Sequence, residues 1–290
     1  MTTVEANMQN KPATINLTDD IIVGDSRQLL TQFANNTFQM CVTSPPYWGL
    51  RDYGIDGQIG AESSIDEYID DLVAVFREVR RTLKDNGTLW LNIGDSYTSG
   101  GRTWRDTDKK NPARGMSYRP PTPDGLKPKD LIGVPWRLAL ALQADGWYLR
   151  SDIIWEKPNG QPESVKDRPT RNHEYIFLFS KSESYYYDHE AIKEPTKDGK
   201  SRRNRRSVWS INTEGFKGAH FAVYPPELVH LCVLAGSEPD AVVLDPFLGS
   251  GTTGIVCTQN GRQFLGIELK EEYAEIARER MAQQTFGIAL

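Results

Sequence analysis

The segment AVVLDPFLGSGTTGIVCTQNGRQFLGIEL, residues 241–269, constrains the fold more than any other stretch of the chain. It reads as an apolar strand ending at Asp245, a turn carrying Gly249 and Gly251, a helix, and a second strand ending at Glu268. Glycines let the backbone turn sharply and approach a ligand closely. An acid at the far end of the second strand can accept hydrogen bonds from a ribose diol, so the layout suits an adenosine-containing ligand. No Lys follows the second glycine, which removes the P-loop reading, and the full G-x-G-x-x-G of a dinucleotide site is missing. Asp245 would also repel a pyrophosphate, whereas it suits a ligand with an amino group and a sulfonium.

Only one helix follows this unit, so a two-stranded fragment would be left without its sheet unless upstream strands complete it. Short apolar or β-branched runs bounded by turn residues predict strands at Asp20–Gly24, Met40–Thr43, Thr88–Ile93, Ser151–Trp155, Glu174–Phe179, Ala241–Leu244 and Gln263–Ile267. Helical periodicity predicts helices at Ser64–Leu83, Gly133–Ala144, Pro226–Ala235, Thr252–Asn260 and Glu271–Gln283. Alternating strands and helices imply an α/β fold with a mostly parallel sheet covered by helices on both faces. With DIIVGD (20–25) and MCVTSPPYW (40–48) supplying further strands, the order of a Rossmann-like sheet is circularly permuted. Residues 20–283 form a single domain in this reading, after a polar lead at 1–19. Residues 97–130 and 181–219 fit neither period and hold many Gly, Pro and Arg residues; long loops of this kind are usually functional or disordered.

TSPPYW at 43–48 follows a strand directly, which puts it on the carboxyl edge of the sheet, where α/β ligands bind. Two prolines fix the backbone and remove two amide donors. What is left suits a base turned out of its stack: Ser44 and the Pro45 carbonyl can accept both hydrogens of an exocyclic amine, while Tyr47 stacks on the ring. Drawing on both N–H bonds makes the amine more nucleophilic. The plainer reading is a rigid turn with a packing tyrosine.

The combination of TSPPYW and DPFLGSGTT, in that order along the chain, resembles the beta-class amino-methyltransferases of DNA. In that family the catalytic half precedes the cofactor half, as in the permuted order above. The likeness covers roughly residues 20–95, 131–180 and 219–283, and includes WEKPNGQPESVKDRPTRNHEYIFLFSK (155–181) and HFAVYPPELV (220–229).

The resemblance implies S-adenosylmethionine as cofactor, cradled by Asp245, Phe247, Gly249 and Gly251. Thr252 and Thr253 would meet its carboxylate at a helix N-terminus, Glu268 its ribose, Asp25 its adenine, and Phe221 and Pro225 its methionine part. Ser44, Pro45, Pro46 and Tyr47 would form the target-base site. Asp95 would accept a proton through Ser44 or water, or else cap a turn. A leading Ser in this turn implies methylation of cytosine N4 by direct transfer to a flipped base, with adenine N6 the alternative. The partners implied are duplex DNA, a cognate restriction endonuclease and a second copy of the chain. The two irregular stretches become variable DNA-recognition insertions.

Charge bears on that last point. The chain's net charge of −5 argues mildly against a polyanionic partner, but distribution counts for more than the sum. Cations gather at 102–137, including Arg102, Arg105, Arg114 and Arg119, and at 193–206, including Arg202, Arg203, Arg205 and Arg206. These are expected to contact phosphates, with Trp104, Tyr118 and Trp209 available for groove or stacking contacts; an ordinary solvated face is the simpler reading. No apolar run reaches the ~18 residues of a membrane helix. The three cysteines sit apart in apolar runs and read as buried free thiols of a cytoplasmic protein.

Other chemistries fit less well. A C5-cytosine enzyme needs a thiolate, typically after Pro, and no Pro-Cys occurs. A zinc deaminase needs His-x-Glu and Pro-Cys-x-x-Cys, which are also missing. Four scattered histidines support no metal site. His173 beside Glu174 could be a catalytic pair, but it opens an apolar strand, which favours a structural histidine. Glutamine and RNA methyltransferases usually lead the Pro-Pro-Tyr turn with Asn. A DNA-binding module with a vestigial cofactor fold is disfavoured by Tyr47, Gly249, Gly251 and Glu268.

Overall fold

A computed structural model describes residues 19–50, 54–98, 121–214 and 224–287, with side chains to 283. Arg102, Arg105, Arg114, Arg119, Trp104, Tyr118 and Phe221, and nearly all of the lead at 1–19, lie outside the described residues. The elements run β1 (Asp20–Val23), α1 (Ser26–Leu29), β2 (Phe38–Thr43), α2 (Ile65–Thr82), β3 (Leu83–Ile93), α3 (Val134–Ala144), β4 (Tyr148–Glu156) and β5 (His173–Ser180). They continue with β6 (Glu194–Pro195), β7 (Arg202–Arg203), β8 (Val208–Ser210), α4 (Pro226–Gly236), β9 (Val242–Asp245), α5 (Thr252–Gln259), β10 (Gln263–Glu268) and α6 (Glu271–Gly287).

Eight strands form one sheet in the order β1-β10-β9-β2-β3-β5-β4-β8. The pairs β1–β10, β10–β9, β9–β2, β2–β3 and β4–β8 are parallel, and β5 is antiparallel to both neighbours. The permutation is visible in the register: Val23 of the first strand lies beside Glu268 of the last. β5 reverses direction because a loop rather than a crossover helix links it to β4, and parallel neighbours require the longer connection.

Every residue of β2 is buried, as expected of a central parallel strand covered on both faces. Its side chains alternate. Cys41 packs with Leu89, Leu91, Phe177 and Phe179 beneath α2 and α3. Met40 and Val42 pack with Trp90, Ile176 and Leu178 beneath α4, α5 and α6. Helix α2 begins where Ser64 and Glu67 exchange side-chain and backbone bonds in a capping box, and from there Ile65, Tyr68, Ile69, Leu72, Val75, Phe76 and Val79 follow the helical period onto the sheet.

Two readings of the 181–219 stretch change. It contributes an edge strand, since Val208–Ser210 pairs alongside Ile154–Glu156, and a small hairpin in which Glu194 faces Arg203. Strands of two or three residues are too short to show a period. Trp209 is also no groove-reading side chain. It is 3% exposed, packs 6.3 Å from Trp90, and its indole N–H donates to the Arg206 carbonyl. The three cysteines are free and buried. No helix among the described residues is long and apolar enough to cross a membrane.

Candidate active site

The carboxyl ends of β1, β2, β9, β10 and β4 and the start of antiparallel β5 meet at one edge of the sheet. There they line a cavity of about 400 Å³. Its wall brings together the two turns singled out in the sequence, Ser44–Tyr47 and Pro246–Ser250, with Thr252 and Glu268.

On the glycine-rich side, Glu268 is 8% exposed, and each of its oxygens holds one backbone amide: Gly249 at 2.9 Å and Lys270 at 3.0 Å. A carboxylate has about four acceptor sites, so two amides leave capacity for a ligand's hydroxyls. Burial raises its pKa, against the pull of those amides. Thr252, the first residue of α5, lines the same wall, and its buried hydroxyl has no partner among the described residues. An orphaned hydroxyl at a helix N-terminus is a place for an anionic group.

Several residues expected to touch the ligand lie behind the wall. Asp245 is fully buried and accepts from Thr43 Oγ1 at 2.6 Å, Thr253 Oγ1 at 2.5 Å, Tyr224 OH at 2.9 Å and the Phe247 amide at 3.0 Å. Burial raises its pKa even so. With its acceptor sites taken up, Asp245 supports the turn from beneath, and Tyr224 presents itself to the cavity in its place. Gly251 has φ +83°, and an added Cβ would stand 2.9 Å from Ala277 Cβ, so this glycine serves the close packing of α5 on α6. Thr253 faces Asp245, and Pro225 is buried as the N-cap of α4. Phe247 and Asp25 do line the cavity. Burial opposes charge on Asp25, but bonds from the Arg27 side chain and amide hold its pKa below the usual value. The Arg27 guanidinium also reaches Asp71 and the Gly57 carbonyl.

On the opposite side, the Pro46 carbonyl accepts from Tyr68 OH at 2.8 Å, which ties the turn to α2. Tyr47 OH donates to Glu174 Oε2 at 2.9 Å, and Asn92 Nδ2 donates to the same oxygen at 3.2 Å. The other Glu174 oxygen is bound by Lys157 Nζ, which also lies 4.2 Å from the centre of the Trp155 ring. Asn92, Trp155, Lys157 and Glu174 all line the cavity. Burial first, and then the Glu174 charge, push the Tyr47 pKa well up, so the phenol stays protonated.

Sequence reasoning missed this cluster. The His173–Glu174 adjacency was visible, but weighing it as a property of the histidine hid the carboxylate beside it. Asp95, by contrast, takes the capping role. Its Oδ1 accepts from the amides of Ser96, Gly133 and Val134 at 2.9–3.0 Å at the start of α3, its Oδ2 lies 3.6 Å from Arg171, and it is not part of the cavity wall.

The described arginines of the basic tract are partly tied down. Arg203 and Arg206 share Glu194, Arg202 donates to the Lys193 carbonyl, and Arg205 donates to the Ile192 carbonyl.

A glycine-rich turn and a Ser-Pro-Pro-Tyr turn on one cavity fit the class of group-transfer enzymes that act on a base. Comparison with known proteins places the chain within it: a DNA methylase family model, of the N6/N4 type, matches residues 38–279, and the chain belongs to that family. It is 68% identical to the type II methyltransferase M.SmaI of Serratia marcescens, over 91% of each chain. It is 61% identical to M.Cfr9I of Citrobacter freundii, over 89% of this chain and 86% of that one. Among solved structures, the fold matches the PvuII cytosine-N4-specific DNA methyltransferase with a TM-score of 0.67 at 22% identity, covering 90% of this chain and 85% of that one. It also matches TTHA0409, a putative DNA modification methylase of Thermus thermophilus solved with S-adenosyl-L-methionine, with a TM-score of 0.63 at 27% identity, over 91% and 93% of the two chains.

Proposed function

We propose that this DNA methyltransferase transfers a methyl group from S-adenosylmethionine to N4 of a cytosine flipped out of duplex DNA. The observation that carries the reading is the single cavity shared by Ser44–Tyr47 and the Gly249–Glu268 turn. Glu268 would hold the ribose of the cofactor, the Thr252 hydroxyl and the N-terminus of α5 its carboxylate, and Phe247 and Asp25 the adenine end. When bound, this cofactor supplies an electrophilic methyl group. The chain's own residues do the rest. Ser44 Oγ and the Pro45 carbonyl would accept the two amine hydrogens, and the Tyr47 ring would stack on the base.

Cytosine is favoured because Ser44 is a neutral acceptor, where an Asp would set a negative charge beside the amine. Adenine N6 is the alternative, since its conjugated amine can react in the same way. In this reading the 97–130 and 181–219 segments carry DNA recognition, and Arg202, Arg203, Arg205 and Arg206 contact phosphates. A cognate restriction endonuclease is a natural functional partner, given that the relatives are named type II methyltransferases. The test is to methylate duplex DNA with the purified protein, digest it, and identify the modified nucleoside by mass spectrometry. N4-methylcytosine supports the assignment. N6-methyladenine alone overturns the base but keeps the class.

A further inference from the structure

We infer that Glu174 is the end of a proton path that starts at the target amine and runs through the hydroxyls of Ser44 and Tyr47. The inference rests on the amine-methylation reading above and adds to it the fate of the proton. An exocyclic amine that gains a methyl group carries a positive charge until it sheds a hydrogen, and the cavity wall can provide a route for it.

The route is laid out in the wall. Tyr47 OH donates to Glu174 Oε2 at 2.9 Å, and Ser44, three residues earlier in the same turn, lines the same cavity. With the phenol's proton directed at Glu174, the phenol oxygen is open to accept from the Ser44 hydroxyl. That leaves the Ser44 lone pairs free to accept from an amine. The carboxylate is only 18% exposed and is held from its other side by Lys157 and Asn92.

Gly94 keeps this arrangement possible. A Cβ there would stand 2.8 Å from Tyr47 Cε2 and 3.2 Å from Glu174 Cδ, closer than side chains pack, so both groups occupy the space a side chain would fill. Asp95, the carboxylate that follows Gly94, is already engaged by three amides and Arg171.

The balance is simple. The N–H bond of the methylated amine breaks and its electron pair stays on nitrogen. That proton goes to Ser44 Oγ, the Ser44 proton goes to the Tyr47 oxygen, and the phenol proton goes to Glu174 Oε2. The amine becomes neutral, both hydroxyls are regenerated, and Glu174 ends protonated, to be reset by water when the product leaves. Glu174 is thus a positioning and relay residue that acts through Tyr47.

The experiment measures single-turnover methylation of duplex DNA by the full chain and its Tyr47→Phe, Glu174→Gln and doubly substituted variants. Affinities for S-adenosylmethionine and for DNA are measured alongside by calorimetry. Each single substitution is expected to lower the methylation rate constant by roughly 10²-fold, the low end for lost proton transfer, with both affinities unchanged. The double variant is expected to be no slower than either single one, because both interrupt one path. The solvent deuterium isotope effect on the wild-type rate is expected to vanish in Tyr47→Phe. A Tyr47→Phe protein that reacts at the wild-type rate, or rate losses that multiply in the double variant, overturns the path. If Glu174→Gln loses cofactor affinity and so fails to fold, Tyr47→Phe decides alone, since it keeps the ring. A wild-type protein that makes no methylated amine on any duplex overturns the methylation reading itself, whereas normal methylation with unaffected variants overturns only the path.

Discussion

Glu268 shows how burial and ligand chemistry pull on one side chain. Its raised pKa means that it protonates at a higher pH than an ordinary carboxyl. A protonated acid loses acceptor capacity, so affinity for S-adenosylmethionine is expected to fall as pH is lowered toward that value, and to stay flat in Glu268→Gln. Stability runs the other way. A carboxyl whose folded pKa lies above its unfolded one adds stability below the unfolded value and loses it as pH rises through the folded one. Calorimetry and thermal melts over the same pH range check both signs. Glu268→Ala is expected to weaken cofactor binding by about 1.5–3 kcal/mol, the range for a hydrogen bond to a charged group. Across the cavity, Ser44→Ala is expected to cut turnover by about 10²-fold while leaving cofactor affinity intact, as measured by steady-state methylation and calorimetry. Gly94→Ala forces a methyl group against Tyr47, and overpacking of that kind costs about 1–3 kcal/mol. It is expected to slow methylation more than it weakens cofactor binding, because Gly94 packs against Tyr47 and Glu174.

At the scale of elements, the β6–β7 hairpin is where charge meets the proposed DNA surface. If its arginines neutralise phosphates, the log–log salt slope of DNA affinity should be near −0.9 per phosphate, and substituting Arg202, Arg203, Arg205 and Arg206 together by Gln should flatten it. A slope unchanged by that substitution would mark the hairpin as a solvated turn. The long elements were legible in the sequence because their burial leaves a pattern: α2 shows its face from Ile65 to Val79, and β2 shows the apolar run Met40–Val42. Short β6, β7 and β8 have no room for one. The site was legible to the extent that its residues sit on distinctive turns, as do Ser44, Tyr47, Gly249 and Glu268. Glu174 stands on β5, Asn92 on β3 and Lys157 just past the end of β4, and only the sheet order β3-β5-β4 brings them together. Asp245 was placed correctly at a strand end, but its inward direction depends on Thr43, Tyr224 and Thr253, which approach from other elements.

Across the whole molecule, the first and last strands are neighbours. Asp20–Val23 pairs with Leu265–Glu268, Arg278 of α6 donates to the Ile21 carbonyl, and the Asp19 amide donates to Phe264. Truncation after Asn260 would leave β1 unpaired and β9 with an open edge. The shortened chain is expected to lose both cofactor binding and cooperative unfolding, as followed by calorimetry and by circular dichroism melts. The same pairing sets an order of events during synthesis. The Ser44–Tyr47 turn leaves the ribosome well before β10 can pair with β1 and present Glu268. An interrupted translation product therefore carries the proposed base site without the acid proposed to hold the cofactor.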